Sequence, residues 1–274
     1  MNSRVEPKCL TTDHRVGMRV SDPSNFYTGL VAELYEPLAG GIPDSNRFIK
    51  FVEKHGEPAL EICCGTGLPF LDLLEAGLDV EGVDASKDML EICETKANER
   101  GLHVTLHHAK MQDFKIPRRF RSVYVANGSI TLLPSDDDLK QTLNTIIDCL
   151  DPAGVVLFDL DIPNPDDLRR NIGKFKETEY EGYRIRVGIT QVDWSEKDSE
   201  LIAKLRYERV SSKGEMESVD RDWFRKVWSV DRFCELLVCS GYYIAEVENL
   251  DSGIIQVFAG VGGRNLNQNQ NTQS

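Results

Sequence analysis

The sequence has no apolar run approaching the roughly twenty residues that a membrane-spanning helix needs, so a membrane protein of the helical kind is not expected. Its opening residues, Met1-Asn-Ser-Arg-Val-Glu-Pro-Lys8, lack the apolar centre of a signal peptide, and a cytoplasmic protein is expected. Basic residues are in deficit: 32 Lys and Arg stand against 45 Asp and Glu, for a net charge of -13. Such a surface repels phosphate backbones, which argues against nucleic acid as a partner. Arg118-Arg119-Phe120-Arg121 is the local exception, and reads first as a solvated loop. The seven cysteines are scattered and odd in number, which fits reduced thiols better than a disulfide framework. No His/Cys cluster has zinc spacing, so no metal is expected. There is no internal repeat.

What is present is Ala59-Leu-Glu61-Ile-Cys63-Cys64-Gly65-Thr66-Gly67, an apolar run that holds one acid and ends in Gly-Thr-Gly. About seventeen residues on, Val80-Glu-Gly-Val-Asp84 stops on a carboxylate. The pattern predicts a strand, a glycine turn, a helix and a second strand with an acid at its carboxyl end. Glycines turn tightly and let a ligand approach the backbone. An acid at the strand tip is placed to accept hydrogen bonds from a ribose diol. An adenosine-containing cofactor is therefore expected. A nicotinamide dinucleotide would call for Gly-x-Gly-x-x-Gly, but the third position is Phe70. Glu61, near the end of the first strand, would repel a pyrophosphate and suits a cation. S-adenosylmethionine carries a sulfonium, an ammonium and a ribose but no phosphate, and fits the Glu61 and Asp84 pair better.

The stretch Glu61 to Gly67 resembles the first motif of class I S-adenosylmethionine-dependent methyltransferases. Val80 to Leu90 resembles their second motif, and His108-Ala-Lys-Met111-Gln112-Asp113-Phe114 their third. Tyr124-Val-Ala-Asn127-Gly128-Ser129 lies where the fourth falls. Leu150 to Asp159 resembles the strand that follows, and Trp228 to Tyr242 the late helix with its closing glycine. The motifs run in order over residues 24–262. The resemblance implies cofactor contacts at Glu61, Cys63, Gly65, Thr66, Gly67, Asp84, Ala85, Met89, Met111, Gln112, Asp113 and Asn127. Each has a plainer reading. The glycines also suit any strand–helix turn, Asp84 a helix cap, Met89 the core and Asp113 a loop.

Strand and helix alternate from residue 59 to residue 160, which predicts a doubly wound, mostly parallel α/β sheet. Strands are expected at Ala59–Cys63, Asp79–Val83, Val104–His108, Ser122–Ala126 and Val155–Leu160. Helices are expected at Ser45–His55, after Gly67, at Asp88–Arg100 and at Asp136–Leu150. After Pro163 three long β-like runs, Tyr183–Trp194, Leu201–Val210 and Glu217–Val227, predict an antiparallel insertion. A helix from Ser229 and a closing hairpin complete a seven-stranded Rossmann-like sheet, as the resemblance also implies. The domain is placed at residues 24–264, with a flexible segment at 1–23 and a polar disordered tail at 265–274. The insertion, residues 165–227, is expected to serve the substrate or a homodimer contact.

Tyr27 and Tyr35 precede the first strand. Eight residues is just over two helical turns, so one helix would set both rings on one face. They read either as core aromatics or, by resemblance to N-methyltransferases of glycine and of amino sugars, as a cover over the acceptor. Pro37 and Gly40-Gly41 break that helix in this reading, and the glycines form a joint. Some members of that group carry a histidine after the fourth motif; here the segment Ser129 to Pro134 has none, and no general base is assigned. The expected activity is methyl transfer to a small-molecule acceptor, an amine nitrogen first. O- or C-methylation, or cofactor binding without catalysis, are the alternatives.

Overall fold

The computed structural model describes residues 25–39 and 44–262. The expected flexible start, the glycine joint and the polar tail lie outside the described residues. Two helices come first, α1 (Leu30–Ala39) and α2 (Ser45–His55). A Rossmann-like alternation follows: β1 (Ala59–Ile62), α3 (Phe70–Glu75), β2 (Val80–Asp84), α4 (Lys87–Glu99), β3 (Leu106–His108), β4 (Phe120–Val125), α5 (Asp136–Cys149) and β5 (Leu150–Leu160). A short helix α6 (Pro165–Arg170) leads into β6 (Phe175–Tyr180), β7 (Tyr183–Ser195), β8 (Glu200–Val210) and β9 (Met216–Lys226). Helix α7 (Val230–Cys239) and the hairpin β10 (Tyr242–Asn249) and β11 (Ile255–Val261) end the domain.

The main sheet has seven strands in the order β10-β11-β5-β4-β1-β2-β3. β1 pairs in parallel with both β2 and β4, so the order reverses there, and a crevice opens beyond the carboxyl ends of those strands. Both faces are covered. Phe48 and Phe51 of α2, Leu71 and Leu73 of α3, and Cys93 of α4 pack one face. Leu139, Leu143 and Ile146 of α5, with Phe233, Leu236 and Leu237 of α7, pack the other. Because the central strands are buried on both sides, they read as continuous apolar runs without alternation.

The insertion is a four-stranded antiparallel sheet, β6-β7-β8-β9, one strand more than expected. Lys176-Glu-Thr-Glu-Tyr180 of β6 is exposed, so no apolar signal betrays it. Ile185 of β7 and Tyr207 of β8 face α1, where Leu30, Val31, Leu34 and Leu38 cover them. Arg209 of β8 donates to Glu33 of α1 at 2.6 Å. The first helix and the insertion thus form one small lobe beside the crevice.

Several expected bounds are corrected. Helix α1 runs through Pro37, which costs one backbone hydrogen bond near its end without stopping it. Tyr27 lies in the turn before α1 and not on its face. β1 stops at Ile62, because Cys63 takes a left-handed backbone (φ 64°) that no strand continues. The Arg118 guanidinium pairs with Asp79 and Glu81, and Arg119 donates to the Leu150 carbonyl. These two arginines therefore tie the fold and do not make a free basic patch. Among the described residues no helix is long and apolar enough to cross a membrane.

Candidate functional site

The crevice beyond β1 and β2 holds a pocket. From β1 it takes Ile62, and from the turn after it Cys63 and Gly65; from β2 it takes Val83 and Asp84, and from the link to α4 Ala85 and Ser86. Met89 enters from α4, and Ala109 to Gln112 from the loop after β3. The segment after β4 supplies Ser129 and Leu132 to Pro134, and the opening lobe supplies Tyr27 and Tyr35. Among the expected site residues, Tyr27, Tyr35, Cys63, Gly65, Asp84, Ala85, Met89, Met111 and Gln112 therefore share one wall.

Asp84 organises this wall. Its Oδ2 accepts the Gly65 N–H at 2.9 Å and its Oδ1 the Ser86 N–H at 2.8 Å. Each oxygen keeps further acceptor capacity. The helix-cap reading of Asp84 is not what the geometry gives: Ser86 caps α4, its hydroxyl accepting the Met89 N–H. Burial pushes the Asp84 carboxyl above its ordinary range, opposed by the backbone bonds from Ser86 and Gly65. A Cβ placed on Gly65 would meet no atom within 4 Å, so the space over its backbone is open.

Glu61 sits beneath the wall, fully buried. Its Oε2 accepts from the Tyr124 hydroxyl at 3.0 Å, while its Oε1 is buried with no hydrogen-bond partner among the described residues. Burial drives its carboxyl well above the usual value, and Asp84 and Asp159 add to that. A buried carboxyl with an unfilled acceptor is costly unless a ligand completes it.

Four of the expected contacts are not among the residues that line the pocket. The Thr66 hydroxyl donates to Glu36, which Lys96 also binds, on the outer side of the turn. Gly67 is demanded by packing: at φ 99° its added Cβ would lie 2.6 Å from Leu71. Asp113 is exposed beyond the pocket, its amide closing a turn onto the Lys110 carbonyl. Asn127 gives its backbone N–H to Asp159 at 2.9 Å. Asp159 in turn is held by Arg47 through two bonds of 2.9 and 2.7 Å and by Gln256.

Tyr27 and Tyr35 meet edge to face, with ring centroids 5.5 Å apart. The Tyr27 carbonyl accepts from the Ser86 hydroxyl, and the Gly29 N–H donates to Asp88 at 2.6 Å. The turn before α1 is thus pinned to the start of α4, next to Asp84. Burial raises both phenols above their ordinary value; Arg225, and for Tyr27 also a Trp223 hydrogen bond, oppose it. At neutral pH both hydroxyls stay protonated and serve as hydrogen-bonding groups rather than bases. His107 pairs with Glu81 and His108 with the Ala85 carbonyl, so both are spent on the fold. Sequence reasoning missed Arg225 and Trp223. They lie on β9 with no motif around them, and only the fold of the insertion brings them to the tyrosines.

Comparison with known proteins gives the following. A family described as "Methyltransferase domain" matches residues 59–154. A dTDP-3-amino-3,6-dideoxy-alpha-D-glucopyranose N,N-dimethyltransferase of Streptomyces fradiae is 34% identical over 143 residues, covering 49% of this chain and 54% of that protein. A glycine/sarcosine N-methyltransferase of Aphanothece halophytica is 32% identical over 165 residues, 59% of each chain. The chain spans about half the length of the curated relatives it matches. The crystal structure of an S-adenosylmethionine-dependent methyltransferase from Clostridium acetobutylicum ATCC 824 shares the fold. Its TM-score is 0.68 at 17% identity, over 85% of this chain and 98% of that one.

Proposed function

We propose that this chain, which carries a methyltransferase domain over residues 59–154, moves the methyl group of S-adenosylmethionine to the nitrogen of a small amine. The observation that carries the reading is the pair of carboxylates at the strand ends, Asp84 in the pocket wall and Glu61 below it with an unfilled oxygen. Two acids and an open glycine backbone suit a cationic, ribose-bearing ligand and oppose a pyrophosphate. The residues present therefore fit the cofactor. Asp84 would hold the ribose hydroxyls, Gly65 would give the ligand its close backbone approach, and Glu61 would answer the ammonium. Met89, Met111 and Gln112 would flank the adenine.

When bound, the cofactor supplies an electrophilic methyl carbon, whose bond to sulfur breaks as an acceptor lone pair bonds to it. The protein's part is alignment and exclusion of water. An amine that is neutral at the moment of attack needs no strong base, and among the described residues no histidine lines the pocket. Tyr27 and Tyr35, as protonated phenols, would accept the acceptor's N–H and aim its lone pair. The insertion lobe, which brings Trp223 and Arg225 to these rings, is then a substrate element more than a dimer contact. An acidic chain with Arg118 and Arg119 of its one basic run engaged in the fold favours a small metabolite over nucleic acid. Its seven scattered cysteines, odd in number and without the spacing of a disulfide framework, suit the cytoplasm. The resemblance to an amino-sugar enzyme and to a glycine enzyme supports nitrogen as the atom methylated.

Two outcomes are expected. S-adenosylmethionine and S-adenosylhomocysteine should each raise the melting temperature, stabilising by about 2.7 kcal/mol at a hundred times the dissociation constant. NAD should give no shift; a shift with NAD alone would overturn the reading. Tyr27→Phe and Tyr35→Phe keep the packing and remove a hydroxyl. At least one should lose turnover while melting within a few degrees of the parent. Two variants that methylate like the parent would return the pair to the core.

A further inference from the structure

Tyr35 lines the pocket, while Glu36, the next residue of α1, lines a separate cleft between α1 and α4. The apolar side of α1 goes to the insertion sheet, where Leu30, Val31, Leu34 and Leu38 are covered. Across the cleft, toward α4, the fastenings of this segment are polar. At its start the Gly29 N–H donates to Asp88 and the Ser86 hydroxyl to the Tyr27 carbonyl. Near its end the Glu36 Oε1 accepts from the Thr66 hydroxyl and from the Lys96 ammonium, the latter at 2.5 Å. Lys96 also donates to the Thr66 carbonyl at 3.1 Å. Thr66 is buried, and it stands in the turn between Gly65, which lines the pocket, and Gly67. One carboxylate thus joins the helix that carries Tyr35, the glycine turn and α4. Lys96 is the one cation among the residues that line the cleft. Glu33 and Glu91, which also line it, turn to Arg209 and Lys87, and Lys96 is left to Glu36. Exposed ion pairs contribute little, but the Lys96 and Glu36 side chains are only 20% and 29% exposed. The same carboxylate holds a buried hydroxyl, and such charge-assisted bonds are the stronger kind.

We propose that Glu36 is a positioning residue of the site: it latches α1 to the glycine turn through Thr66 and Lys96, and so sets the Tyr35 ring against the bound cofactor. The proposal rests on the methyltransferase reading and adds what holds its tyrosine wall in place. Glu36 lies outside the pocket and touches no ligand there; it acts through Thr66. A ligand seated over Gly65 orders the turn, and an ordered turn presents the Thr66 hydroxyl and carbonyl to Glu36 and Lys96 in fixed positions. Linkage makes the effect reciprocal, so a closed latch also slows the ligand's escape. Without the latch, α1 keeps its packing on the insertion and its fastening at Ser86 and Asp88, but the end that follows Tyr35 is released from the turn.

The test uses the full chain with S-adenosylhomocysteine as the probe. Amide hydrogen exchange is followed with and without it, and its dissociation rate is read by chasing labelled probe with unlabelled. In the parent the probe should slow exchange in the pocket segments 62–65 and 83–86 and also in α1. Glu36→Ala should release the probe about tenfold faster, the worth of a hydrogen bond to a charged group. It should also lose the slowing in α1 while keeping that at 83–86. Thr66→Val, which keeps the shape and loses the hydroxyl, should do the same, and Thr66→Ser should restore both readouts. The double variant Glu36→Ala/Thr66→Val should be no worse than either single one, because the two residues act as one latch. Should Glu36→Ala fail to fold, the Thr66 pair and the parent's exchange still decide. Exchange in α1 that the probe leaves unchanged in the parent overturns the proposal. So does a folded Glu36→Ala that holds the probe like the parent, a Thr66→Ser as fast as Thr66→Val, or additive effects in the double variant. No slowing at 62–65 or 83–86 in the parent would defeat the methyltransferase reading and the latch with it, and is seen before any variant is made.

Discussion

Asp84→Ala is expected to leave the chain folded and to weaken S-adenosylhomocysteine binding about a hundredfold or more. The estimate takes two hydroxyl bonds to a charged acceptor at about 1.5–3 kcal/mol each, with about 1.4 kcal/mol per factor of ten. The fold should survive for a reason visible in the site. Burial raises the Asp84 carboxyl above its ordinary 3.8. A raised acid favours the folded state only while protonated, below the unfolded value, and that contribution is lost as pH rises through the folded one. At neutral pH the ionised group is therefore no net support, and its removal relieves a desolvation cost. Against that stand the Gly65 and Ser86 amides, which lose their acceptor. Calorimetry on the folded variant decides the matter: an unchanged dissociation constant would leave Asp84 as a brace for the Gly65 turn alone.

The part of this site that the sequence reveals is the part built from consecutive residues. Gly65 and Asp84 are legible because a parallel strand pair sets the first glycine turn beside the tip of the next strand. The register pairs Ile62 with Val83, so Asp84 must stand beside the turn. Glu61 is legible because a carboxyl inside an apolar run has to find a partner. Gly67 is recognised as special for a reason that differs from the one the motif implies. The constraint visible in the fold is the 2.6 Å approach of Leu71. Asp113 is left outside the pocket lining, which Met111 and Gln112 join, because spacing cannot tell which residue of a turn points inward. The tyrosine pair is found by the wrong route: Tyr27 is not helical, yet the Ser86 hydroxyl on its carbonyl brings its ring to Tyr35. Arg225 is illegible because its neighbours, Gly128 and Thr131, lie about a hundred residues away, across the insertion.

Glu61→Gln is expected to separate stability from binding. In the parent, Glu61 is buried with one oxygen on Tyr124 and the other unfilled, and its carboxyl is held well above the ordinary 4.5. The native chain then keeps a proton that the unfolded chain releases. Its contribution to stability is full below the unfolded value and is lost as pH rises through the folded one. Over that window the unliganded parent should lose stability relative to Glu61→Gln, whose amide does not titrate, and the variant should be the more stable at the upper end. Ligand reverses the sign. A cation beside Glu61 favours the carboxylate, so binding to the parent should release protons, and the stabilisation by S-adenosylmethionine should grow with pH. Glu61→Gln keeps an acceptor for the Tyr124 hydroxyl but loses the charge. It should bind roughly tenfold to a hundredfold more weakly, the worth of about 1.5–3 kcal/mol for a hydrogen bond to a charged group. Calorimetry in two buffers of different ionisation enthalpy reads the proton directly. Burial raises the Asp84 carboxyl as well, so the informative quantity is the difference between parent and variant. Equal proton release and equal affinity in the two would mean that Glu61 never meets the ligand's charge. The strand acid would then belong to the core alone, held there by Tyr124.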